Sequence, residues 1–126
     1  MERSNFMKDN HDSYIEEINR IKIRIHQSLY NGGPFLDNLL ESVHRHLPSM
    51  NNISYDDNRD CLILTTDSVV SSVSLSLLFM GIMLEYLDYL RNNNVITSDE
   101  YMIGSKRINM LYDITLNTDT TIEIKL

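Results

Sequence analysis

The stretch Asp67–Arg91, DSVVSSVSLSLLFMGIMLEYLDYLR, decides how the rest of the chain must be arranged, because Ser68 to Leu84 carries no charge. Such a run is expected to be buried, and its length suits a helix. At 100° per residue, Val69, Val73, Met80, Met83, Leu84, Leu87 and Leu90 fall on one broad side, which is the expected core face. The opposite side carries Ser71, Ser74, Leu78, Gly81, Glu85 and Asp88, small residues first and charges later. Small side chains let another backbone come close. Ser74, Leu78, Gly81, Glu85 and Asp88 are therefore candidate protein contacts, with a second helix or a second copy of the chain. Gly81 costs about 1 kcal/mol against Ala inside a helix, and close packing is the usual compensation. A bilayer span needs about 20 apolar residues. This run is shorter and is dotted with Ser68, Ser71, Ser72, Ser74 and Ser76, so it reads as a central buried helix with Asp67 as N-cap.

Upstream, residues 1–11 are polar and aperiodic and are expected to be a flexible tail, followed by a single globular domain over 12–126. Ser13 with Glu16 forms an S-x-x-E capping box, and Tyr14, Ile18, Ile21 and Ile25 follow at helical spacing. Ile23 lies off that stripe, which marks it as a further candidate contact. Asn31-Gly32-Gly33 ends the helix and Pro34 suits the first turn of the next. That helix sets Leu36, Leu39, Leu40, Val43 and Leu47 on one face and stops before Pro48. From Ile53 to Thr66 the period changes to that of a hairpin around an Asp-Asn turn. Its second strand is apolar on both sides and is expected either to be covered on both faces or to lie centrally in a small sheet.

Downstream, Thr97 and Glu100 form a second capping box, with Ile96 and Tyr101 placed as a hydrophobic staple, so a fourth helix is expected from Ser98 to about Tyr112. Gly104 within it repeats the close-approach theme. The alternation of Ile114/Leu116 and Ile122/Ile124/Leu126 around Asn117-Thr118-Asp119 predicts a second hairpin. The segment Tyr89–Leu111, YLRNNNVITSDEYMIGSKRINML, resembles the short helical hairpins at the ends of many bacterial proteins. That resemblance implies a hairpin that docks on something, not a reaction. The expected fold is α+β and mainly helical, about four helices packed round the apolar helix 67–91, with two short β-hairpins forming a small sheet.

Composition narrows the function. A net charge of −7 over 126 residues argues against a nucleic-acid surface and favours a protein partner, a basic one in particular. Cys61 is the only cysteine, which excludes an internal disulfide and a four-cysteine zinc site. The opening residues lack the apolar segment of a secretory signal, so a cytoplasmic location, in a bacterium or a viral host cell, is the expectation. The absence of alanine and the abundance of Asn and Ile suggest AT-rich coding, as in a virus, a phage, a mobile element or an AT-rich bacterium.

Chemistry-bearing patterns are sparse. Asp56, Asn58 and Asp60 have the D-x-N-x-D spacing that opens a calcium loop, but Cys61 stands where the loop needs Gly, which breaks its geometry, so a solvated hairpin turn is the preferred reading of these acids. His44 and His46, two apart on a helix, point to different sides, and with Arg45 they complement the helix's carbonyl end. Cys61 lies in an apolar run, where a thiol behaves as a small hydrophobe. No catalytic, cofactor or metal residues are assigned. The expected function is a non-enzymatic acidic protein-binding module (adaptor, inhibitor, immunity protein or secretion chaperone), a homodimer, with no nucleic acid, membrane or cofactor. Two alternatives stand beside it: a small enzyme using Cys61 or a histidine, and a transcriptional regulator reading DNA with Lys106 and Arg107.

Overall fold

Our computed structural model describes the backbone of residues 2–30, 32–67, 71–118 and 120–126, with side chains from Tyr14 onward in those ranges except at Ser72. The elements run α1 (Glu2–Tyr30), α2 (Pro34–His46), β1 (Met50–Asp56), β2 (Cys61–Thr66), α3 (Ser72–Asn92), α4 (Ser98–Lys106), a 3-10 turn (Ile108–Met110), β3 (Asp113–Leu116) and β4 (Thr121–Lys125). This is an α+β fold, 58% helical, with a small antiparallel sheet. The strand order is β1-β2-β4-β3, so the two hairpins join through their second strands. β2 is flanked by β1 on one edge and β4 on the other, so both of its backbone edges are paired. Leu62 and Leu64 pair with Ile124 and Ile122 on the face turned to the core, and all are buried.

Helix ends follow local chemistry. Gly32 and Gly33 sit at φ +67° and +75°, conformations that side chains rarely adopt, and Pro34 occupies the first turn of α2. The second capping box forms as expected: Thr97 accepts from the Glu100 backbone N–H at 3.1 Å, and the Thr97 N–H donates to Glu100 Oε1 at 2.8 Å. α4 is shorter than expected, because at Ile108 the chain tightens into the 3-10 turn. At the other end of the chain, α1 is helical from Glu2, through residues read as an aperiodic tail. Ser13 and Glu16 therefore lie within the helix instead of capping it. α3 is capped by Ser71, whose hydroxyl accepts from the Ser74 N–H, and not by Asp67; Val69 lies outside the described residues.

One continuous core collects Ile18, Ile21, Ile25 and Leu29 from α1, Leu39 and Val43 from α2, the inner sheet face, and α3. On α3 the buried stripe is Leu75, Phe79, Ile82, Met83, Tyr86, Leu87 and Leu90. It is rotated by roughly 80° from the expected face, counting 100° per residue. Val73, assigned to the core from sequence, is 69% exposed, and Met80 and Leu84 are only half-buried. The physical reason is that the first half of α3 is apolar all round, so periodicity alone leaves its orientation open. Its two fully buried rings settle it: Phe79 packs edge-on to Tyr112 with centroids 4.9 Å apart, and the Tyr86 hydroxyl shares a 2.9 Å hydrogen bond with Ser28 of α1.

Candidate functional site

Because the core takes one side of α3, the other side of its first half is left in solvent. Val73 and Leu77 are 69% and 61% exposed and Leu78 is 40% exposed, in a stretch without a charge. Val73, Ser76, Leu77 and Met80 line a shallow groove of about 290 Å³ closed on one side by Asn109 of the 3-10 turn. Met110, next to Asn109, is 47% exposed. The groove is held in shape by Tyr112, whose hydroxyl donates to the Ser76 carbonyl at 3.3 Å. Contiguous apolar surface of this kind marks contact sites more often than isolated exposed leucines do. By length and composition, Val73–Asn92 is also long and apolar enough to cross a bilayer, with a mean hydropathy of 1.5 and 39% of the window buried inside the fold. No other helix among the described residues meets that description.

The contacts expected from sequence separate into groups. Ser74, Leu78 and Gly81 lie together on the outward side of α3, adjoining Leu77. Among the described residues a Cβ on Gly81 would meet nothing within 4 Å, so none of the described elements uses its close approach. Glu85 is engaged within the molecule: it accepts from the buried Ser42 hydroxyl and lies 3.0 Å from His46 Nε2 and 3.7 Å from Arg45, tying α3 to α2. The Ser42 hydrogen bond, chiefly, holds the Glu85 carboxyl below the usual carboxylate range. Asp88 pairs with Arg91, whose guanidinium stacks 4.1 Å over Tyr101. Ile23 is 54% exposed on a different helix, α1. Gly104 is buried, and a Cβ there would meet Leu87, Ile21 and Leu111 at 3.3–3.5 Å, so its close approach serves the chain's own core.

The residues weighed for chemistry are tied into the fold. Asp56 Oδ1 accepts from the Asn58 and Arg59 backbone N–H groups, which shapes the β1–β2 turn, and Asp60, at φ +50°, accepts from the Tyr55 hydroxyl at 3.1 Å. β2 runs straight through the second half of the would-be calcium loop. Cys61 is 3% exposed, and burial pushes its thiol pKa up, away from a nucleophilic thiolate. It borders a polar groove of about 460 Å³ on the outer sheet face, where Arg59 and Glu123 pair at 2.6 Å. His26 turns its Nε2 to the Leu126 carbonyl and its Nδ1 toward Asp60 at 3.8 Å, so neither ring nitrogen is directed at Cys61. Among the described residues no group of three or more His, Cys, Asp or Glu is placed to hold a metal ion.

Sequence reasoning missed two features. Val73 and Leu77 belong to the exposed face, and the signal available was an apolar run wider than one helix side. Arg24, to which the sequence assigned no role, is half-buried and ties α1 to α4: its Nη1 donates to the buried Glu100 at 2.7 Å and to the Val95 carbonyl at 3.1 Å. Comparison with protein-family models, with curated proteins and with solved structures returns no match to this chain.

Proposed function

We propose that this chain is a non-enzymatic protein-binding module that holds one protein partner on the outward face of α3. The supporting observation is the uncharged, exposed first half of α3, where Val73 and Leu77 line a groove and Leu78 is exposed farther round the helix, outside the core formed by its other side. Burying side chains of this size on a partner contributes about 1.5–3 kcal/mol each when burial is full. The net charge of −7 favours a basic partner through long-range attraction, with the apolar face supplying the contact. Adaptor, inhibitor, immunity protein and secretion chaperone, acting in the cytoplasm, are the roles such a module fills. The test compares partner capture by wild-type protein and by Leu77→Glu at matched concentration. We expect a partner retained by the wild type to be lost with Leu77→Glu while the melting temperature stays within a degree or two. Identical capture by both proteins would overturn the assignment of this face.

A further inference from the structure

A second surface, on α4, has the symmetry of a self-contact. Asp99, Met102 and Lys106 stand at i, i+3 and i+7, so they form one stripe, and all three are exposed, Met102 at 53%. Ile103 borders the stripe, half-buried, and Tyr14 of α1 lies alongside at 42% exposure, its ring covered by Arg107 at 3.9 Å. Together they line a groove of about 350 Å³ between α1 and α4. The acid lies at one end of the stripe, the base at the other, and the methionine between them. Neither Asp99 nor Lys106 makes an ion pair within 4 Å among the described residues, although other charges near this face do: Glu17 is held by Arg20 at 3.0 Å, and Glu100 by Arg24.

We infer that α4 pairs with α4 of a second copy, antiparallel about a two-fold axis passing between Met102 and Ile103. A closed two-fold contact requires that when residue i meets residue j, j also meets i. In the register whose paired numbers sum to 205, Asp99 faces the partner's Lys106, Met102 faces the partner's Ile103, and both contacts recur by symmetry. One helix thus supplies both halves of its own charge complement, with the apolar pair in the dry centre. Along α4 the two charges are about 10 Å apart at 1.5 Å per residue, which spans the middle of such a crossing. Acid in the first turn and base in the last also suit the helix dipole. That explains their signs, but not a shared stripe with an exposed methionine between them. The contact is short and joins two chains of net charge −7, so the dimer is expected to be weak. It leaves the α3 face free and does not depend on the proposal made for that face.

Sedimentation equilibrium of the full chain, at concentrations up to about 1 mM and at low and high salt, measures the association. Asp99→Lys alone and Lys106→Asp alone each turn both ion pairs repulsive. Each is expected to weaken dimerisation at least about tenfold, the equivalent of losing roughly 1.4 kcal/mol. Asp99→Lys/Lys106→Asp together restore it. Mixing the two single variants is the decisive arm, because their opposite charges match only across a mixed pair, so a heterodimer forms although neither variant pairs with itself. Circular dichroism of each variant checks that α4 is intact. A wild type that stays monomeric throughout, single variants that dimerise like it, or a mixture that stays monomeric would each overturn the inference.

Discussion

Removing the guanidinium of Arg24 while keeping its aliphatic stem, as Arg24→Met does, tests what fixes α4 to α1. Glu100 has 4% of its side chain accessible, and its Oε1 receives both Arg24 Nη1 at 2.7 Å and the Thr97 N–H at 2.8 Å. Losing Arg24 leaves a carboxylate out of water with one backbone donor, and it strips the Val95 carbonyl of its side-chain donor. Breaking a buried pair from one side costs about 3–5 kcal/mol. Arg24 is 37% accessible, so water partly replaces it, and we expect about 2–3 kcal/mol. For a chain of this size that is roughly a 6–12 °C fall in melting temperature. Glu100→Gln keeps the shape and the acceptor, strands no buried charge, and should cost only about 1 kcal/mol. Urea unfolding of both variants and of the double variant closes the cycle, with an expected coupling of about 1–2 kcal/mol. An Arg24→Met protein within about 0.5 kcal/mol of wild type, or strictly additive single variants, would refute the reasoning.

The two helical glycines give opposite expectations. Gly81→Ala meets open space and should raise stability by about 0.5–1 kcal/mol, whereas Gly104→Leu drives a branched side chain into Leu87, Ile21 and Leu111 and should cost about 1–3 kcal/mol, both read by thermal unfolding. Acid should loosen the α2–α3 contact. The Glu85 carboxyl is depressed in the folded state, so its contribution is present at neutral pH and is lost as pH falls through that lowered value. Ser42→Ala removes the largest cause of the depression, and the gap between neutral and acid stability, measured by urea midpoints, should narrow; an unchanged gap would exclude this role for the pair.

Most elements were legible because local rules decide them. The Thr97/Glu100 box starts α4, the Gly32-Gly33-Pro34 run separates two helices, a polar Asp-Asn turn marks the first hairpin and alternation marks the second. All of these are contacts between near neighbours in the chain, so the residue order carries them. Orientation and pairing were not legible. α3 presents apolar residues on every side of its first half, and only contacts with Tyr112 and Ser28, far away in sequence, fix which side turns inward. Arg24 finds Glu100 across 76 positions, a distance over which spacing says nothing.

What the sequence by itself determined, then, is the inventory: helices where apolar periodicity runs between breaks, strands beside polar turns, and an acidic composition with a long apolar run in its middle. Tertiary structure alone decided which part of that run stays in water. The reason is geometric: a small core covers about one side of a helix, so when Phe79 and Tyr86 claim that side, Val73 and Leu77 are left outside it.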